Sequence, residues 1–203
     1  MKISDNIDLI DGTNANVYVI KTEKKIIQID TGMKNNLERI LNYYEANRTR
    51  PDIIFITHYH MDHIGTLSSL QGRFNPMVIA SETEREYLEG RAVPEKPKSL
   101  LGKMVMTFSA KMNFQGISTC EKIEDENLQC VATPGHTPGS ISLLMRRERV
   151  IFIGDAAATK DGELKTIGAF TLDPETAERS LEKIRALKPI KILPGHGDPL
   201  NLE

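Results

Sequence analysis

Ile53-Ile54-Phe55-Ile56-Thr57-His58-Tyr59-His60-Met61-Asp62-His63 is the stretch on which the reading of this chain turns. A short apolar run bounded by polar residues and Pro51 reads as a buried strand, and it delivers three imidazoles and a carboxylate within six residues. Nitrogen and carboxylate donors together suit zinc, and also iron or manganese. The same pattern recurs outward. His136 follows LQCVATPG, His196 follows IKILPG, and Asp155 follows Val150-Ile151-Phe152-Ile153-Gly154. All 5 histidines of the chain therefore stand after a strand-like run, which scattered surface or core histidines would not do. Sites in α/β proteins form beyond the carboxyl ends of strands. His58, His60, Asp62, His63, His136, Asp155 and His196 are thus expected to converge on one edge. A catalytic zinc usually takes about three protein ligands and keeps a position open, so seven side chains fit two metals sharing a bridge better than one.

The composition allows such a metal site and narrows its setting. With 203 residues, 39% of them hydrophobic, the chain is long enough for one well-buried domain and short for two, so residues 1–203 are read as a single domain. Net charge is −2 with acids and bases interspersed, which gives no polyanion-binding signature, so nucleic acid is unsupported and a small-molecule substrate is expected. No run approaches the roughly 18 apolar residues of a membrane span, and MKISDNIDLI lacks the apolar core of a signal peptide, so a cytoplasmic location is expected. Cys120 and Cys130 make no disulfide framework and are read as small buried thiols beside strands.

Along the chain, residues 7–10, 17–20 and 25–29 read as three short antiparallel strands that end in Asp30-Thr31-Gly32. Leu37, Ile40, Leu41 and Tyr44 mark a helix over 35–45, closed by Pro51 ahead of a strand at 52–56. A helix over 64–70 and a strand over 77–80 follow. Ser81 then caps another helix with Glu84 at its third position, the signature of a capping box. Residues 90–116 are the least regular stretch, with five bases (Arg91, Lys96, Lys98, Lys103, Lys111) against one acid, Glu95. Two readings stand for it: a lid or dimer interface with a pliable Met and Phe wall, or a solvated loop with a short packed helix. The second half repeats the order of strands before helix, at 117–123, 128–133, 140–145 and 150–153. Asp173 and Pro174 open the helix, Ala177, Leu181, Ile184 and Leu187 form its buried face, and 190–193 is the last strand. Strands then helices, twice, predicts an α+β fold, a four-layer αββα sandwich of two facing mixed sheets with helices on both outer faces.

His58-x-His60-x-Asp62-His63, His136 in TPGHTPGS, Asp155 in GDAA, His196 in PGHGDP and the early Asp30-Thr31-Gly32 together resemble the metallo-β-lactamase superfamily over nearly the whole chain. The resemblance implies that His58, His60 and His136 hold one metal and that Asp62, His63 and His196 hold the other. Asp155 would bridge them with a water or hydroxide, and Asp30 would support the metal-binding loop from outside the ligand set. It further implies two divalent ions, zinc foremost with iron or manganese as alternatives. Among subgroups the chain looks most like the glyoxalase II-like hydrolases. Only seven residues follow His196, where glyoxalase II enzymes continue with a glutathione-binding helical region, and this disfavours glutathione as the carrier. The implied chemistry is hydrolysis of a small thioester, ester or lactone, with Asp155 and Asp62 as the catalytic carboxylates. Two alternatives stay open: a persulfide dioxygenase with one iron on His58, His136 and Asp155, and a non-enzymatic metal-binding protein.

Overall fold

The computed structural model describes residues 1–95, 112–168 and 170–202. The first sheet runs in the order β1 (Ile7–Ile10), β2 (Val17–Lys21), β3 (Ile26–Ile29), β4 (Ile53–Phe55), β5 (Met77–Ala80) and β6 (Ile117–Thr119). β1 to β3 are antiparallel and β3 to β6 parallel. The second sheet is formed by β7 (Leu128–Ala132), β8 (Ile141–Met145), β9 (Val150–Gly154), β12 (Lys191–Pro194) and β13 (Leu200–Asn201), in the order β13-β12-β9-β8-β7. A separate hairpin joins β10 (Ala158–Lys160) to β11 (Glu163–Lys165). Among the described residues the α-helices are α1 (Leu37–Ala46), α2 (Met61–Ile64), α3 (Leu67–Phe74), α4 (Glu82–Leu88) and α5 (Pro174–Ala186).

The period-2 alternation of the strands sorts their side chains into three apolar layers. Tyr18, Ile20, Ile27, Ile29 and Phe55 from the first sheet meet Leu143, Met145, Phe152 and Leu193 from the second, forming the core between the sheets. The intervening residues Val17, Val19, Ile54 and Val78 turn outward under Ile40 and Tyr44 of α1, Leu67 and Leu70 of α3, and Leu88 of α4. Leu144, Ile151, Ile153 and Ile192 turn the other way, under Leu181 and Ile184 of α5. The result is the αββα sandwich expected from the strand and helix order.

Four details differ from the sequence reading. The helix expected over 64–70 is two helices, broken at Gly65-Thr66, where the chain docks on the loop after β3. Gly65 N–H donates to Gly32 O (2.8 Å) and the Thr66 hydroxyl to Thr31 O (2.7 Å). The strand expected over 117–123 stops at Thr119 and passes into a 3₁₀ turn at Cys120–Lys122. That turn brings Cys120 back toward β7, so Cys120 and Cys130 form a disulfide and are not free thiols. Their Cα atoms lie 6.2 Å apart, within the range a disulfide spans, and the bridge links the end of β6 in one sheet to β7 in the other. β10, β11 and β13 are too short and too polar to stand out as strands in the sequence. Of the irregular stretch at 90–116, residues 96–111 lie outside the described residues, so the lid and interface readings find no description there. Among the described residues, no helix is long and apolar enough to cross a membrane.

Candidate metal centre

The seven sequence-predicted side chains come together at the carboxyl ends of β4, β7, β9 and β12. The chain leaves β4 at Phe55 and passes through Thr57 to His58 and His60, and α2 then presents Asp62 and His63. His136 lies in the turn between β7 and β8, Asp155 directly after β9, and His196 two residues after the end of β12. His58 Nε2 and His136 Nε2 approach His60 Nδ1 at 3.1 and 2.9 Å. His196 Nε2 lies 3.1 Å from Asp62 Oδ2, and His63 Nε2 lies 3.8 Å from the same oxygen. Asp155 faces both groups: Oδ1 is 3.3 Å from His63 Nε2, while Oδ2 is 3.4 Å from His136 Nε2 and 3.5 Å from His196 Nε2.

Two outer partners set the orientation of the loop that carries His58, His60 and His63. Asp30, buried and left-handed at φ 57°, accepts from Thr57 N–H and Thr57 Oγ1 (both 2.8 Å) and contacts His63 Nδ1 at 2.7 Å. Asp is among the few residues that tolerate this backbone region. Thr57 Oγ1 in turn meets His58 Nδ1 at 3.0 Å. The far nitrogens of His58 and His63 are thereby occupied, which leaves Nε2 of each aimed at the cluster.

Electrostatics fit a cation. Burial and the neighbouring imidazoles hold His58 well below the usual histidine range, and burial with His136 beside it lowers His60 to about 3. Both are therefore neutral donors. Burial works against the Asp155 carboxylate, yet His63, His136 and His58 hold it well below the usual carboxylate range. Asp62, against its burial, is lowered to about 2 by its hydrogen bond from His196. His60 Nε2, His63 Nε2, His136 Nδ1 and Asp155 Oδ1 are buried without a hydrogen-bond partner among the described residues. An unpaired buried polar atom costs about 1–3 kcal/mol. For His63 Nε2 and Asp155 Oδ1, which face each other inside the cluster, a shared cation meets both needs at once.

The family model described as the metallo-beta-lactamase superfamily matches residues 10–196. The chain belongs to the metallo-beta-lactamase superfamily. Among curated proteins it is 31% identical to the probable metallo-hydrolase YflN of Bacillus subtilis over 218 residues, 92% of this chain and 81% of that protein. It is 26% identical to the hydroxyacylglutathione hydrolase GloC of Haemophilus influenzae over 133 residues, 66% of this chain and 61% of that one. Among solved structures, TTHA1623 in a di-iron-bound form superposes with a TM-score of 0.73 at 21% identity, covering 96% of this chain and 93% of that one. This likeness shows the fold. The chain is thus a member of a superfamily of metallo-hydrolases, with a His/Asp cluster able to hold metal.

Three residues around this cluster are not singled out for it by the sequence. Asn16, in the turn before β2, donates from Nδ2 to Pro194 O (2.9 Å) and Gly197 O (2.8 Å), and from N–H to Gly195 O (2.7 Å), so it pins the loop bearing His196. Gly195 is needed for space: a Cβ there would run into Asp155 Oδ1 and lie 2.8 Å from the His63 ring. Glu84, read from the sequence as the third helical residue of a capping box behind Ser81, reaches the His58–His60 and His136 loops. Only the PGHG string, with a glycine on each side of the histidine, hinted at any of these.

Proposed function

We propose that the chain is a metal-dependent hydrolase of a small thioester or ester, lactones included, working as one unit with a dinuclear site. His58, His60 and His136 form one ligand set, Asp62, His63 and His196 the other, and Asp155 is shared. The observation that carries this reading is the placement of Asp155, whose two oxygens lie within 3.3–3.5 Å of imidazole nitrogens from both sets. When bound, two divalent metals supply hydroxide near neutral pH and polarise the substrate carbonyl. Zinc suits the donors best, with iron and manganese as alternatives.

The chain's own residues do the remaining work. Asp155, ionised and buried, keeps the two sets at a fixed separation. Of the seven, His60, Asp62 and His196 keep part of their surface open while His58, His63, His136 and Asp155 are buried, so substrate and water arrive over the first three. Asp62 is the solvent-facing carboxylate, its side chain 33% exposed. It is the group placed to pass a proton outward at its carboxylate oxygens, though its low pKa makes it a weak base. The likeness to GloC supports a thioester among these substrates.

Elemental analysis joined to a panel of thioesters, esters and lactones tests the proposal. We expect two metals per chain, with turnover that chelation abolishes and zinc restores. One iron per chain together with oxygen uptake on a persulfide would overturn it in favour of the dioxygenase. Metal-replete protein inert to the whole panel would favour a binding role.

A further inference from the structure

Glu84 is fully buried on the first turn of α4. Ser81 caps this helix as its sequence predicts, accepting from Glu84 N–H at 3.1 Å. A capping box would send the glutamate back to Ser81 N–H. Among the described residues its carboxylate goes elsewhere. Oε2 accepts from Tyr59 N–H (2.8 Å), and Oε1 accepts from Thr137 Oγ1 (2.6 Å) and Gly139 N–H (3.1 Å). Tyr59 stands between His58 and His60, and Thr137 directly follows His136. One carboxylate therefore ties together the two loops whose three imidazole nitrogens meet at 2.9 and 3.1 Å.

The surroundings are fitted to this contact. The Ser81 hydroxyl donates to Gly139 O (2.7 Å), and a Cβ on Gly139 would lie 2.8 Å from Glu84 N, Glu84 Oε1 and Ser81 Oγ. Ser140 Oγ accepts from Thr137 N–H (3.1 Å), which fixes the turn that carries Thr137. Burial raises the Glu84 carboxyl to about 7, against the pull of its three hydrogen bonds. A buried carboxylate is a costly means of joining two loops when an apolar side chain would pack at less expense. Its use here makes sense where the loops must hold one register. Asp30 has the same design, accepting from Thr57 N–H and contacting His63.

We propose that Glu84 is a positioning residue for the three-histidine set, clamping the His58–His60 loop to the His136 loop so that the three nitrogens stay close enough to share one metal. This rests on the reading of His58, His60 and His136 as a ligand set, and it concerns metal affinity rather than the substrate.

The test is zinc competition and cobalt absorption titration of Glu84→Gln, Thr137→Val and Thr137→Ser. Each is made in a His196→Ala background, which leaves the three-histidine set whole, and in a His60→Ala background, which leaves the other. We expect Glu84→Gln and Thr137→Val to weaken the three-histidine set by about 10–100-fold, the usual cost of losing an outer-shell partner, and to leave the other set unchanged. Thr137→Ser, which keeps the hydroxyl, should restore the affinity and the cobalt spectrum. Should Glu84→Gln fail to fold, the Thr137 pair carries the test alone. Equal weakening of both sets, as a merely structural role predicts, or no weakening at all, overturns the proposal. Wild-type protein that loads metal but cleaves no ester sinks the hydrolase reading and leaves this one standing. Wild-type protein that hydrolyses esters while Glu84→Gln and Thr137→Val bind as it does sinks this one alone. Wild-type protein that binds no metal at the three histidines removes both.

Discussion

Asp30→Asn is the sharpest probe of how the centre is oriented. Asp30 accepts from Thr57 N–H and Thr57 Oγ1, and its contact with His63 Nδ1 at 2.7 Å puts the ring proton on Nδ1, which leaves Nε2 free for metal. Asparagine tolerates the left-handed backbone at φ 57°, and its carbonyl can still serve Thr57 N–H, so the fold should survive. Its amide, facing His63, donates where the carboxylate accepted. The imidazole must then hold its proton on Nε2, the atom aimed at Asp62 and Asp155. Loss of such an orienting partner typically costs 10–100-fold in metal affinity, or about 1.4–2.7 kcal/mol, and the loss should fall on the set containing His63. Asp30→Ala should do more. It orphans at least Thr57 N–H and His63 Nδ1, at about 1–3 kcal/mol each, because Thr57 Oγ1 can turn to His58 Nδ1. The assay is site-resolved zinc titration alongside urea unfolding of the metal-free protein. Metal affinity at wild-type level in Asp30→Asn would refute the tautomer argument.

Asp155→Asn should lose more than the 10–100-fold of an outer partner, since it removes the carboxylate common to both sets, and metal content should drop below two per chain. Gly195→Ala should weaken metal binding while the sheets stay intact, because its new methyl occupies the space of Asp155 Oδ1; circular dichroism with metal analysis checks both halves. Reducing the Cys120–Cys130 bridge should lower stability by about 3 kcal/mol, the closure entropy of a loop of this length, read from urea midpoints with and without reductant. The folded-state pKa of Glu84 lies near 7, above its ordinary 4.5, so the folded protein holds this proton more tightly than the unfolded chain. Relative to Glu84→Gln, metal-free wild-type protein should therefore be at its most stable below pH 4.5 and lose about 3 kcal/mol as pH rises through 7; a parallel pH series would show the argument wrong.

Much of this protein is legible in its sequence because the relevant physics is local. Tyr18 and Val19 face opposite sides by the pleat of one strand, and Asp173 with Pro174 starts α5 by capping chemistry alone. Likewise, a strand that ends in His-x-His-x-Asp-His must deliver those side chains together. Local patterns repeated along the chain, strands before helices twice and four strand-like runs ending in His or Asp, therefore determined the sandwich and the identity of the clustered residues. What holds the cluster in register was decided only by tertiary structure. Glu84 meets Gly139 across 55 residues, Asp30 meets Thr57 across 27, and Asn16 meets Pro194 across 178. A buried carboxylate or amide takes its partners from whichever loops the packed sheets bring within 3 Å. Nothing in the sequence around Glu84 distinguishes a capping-box glutamate from a tie between the His58–His60 and His136 loops, and the same holds for a cysteine pair joined across two sheets.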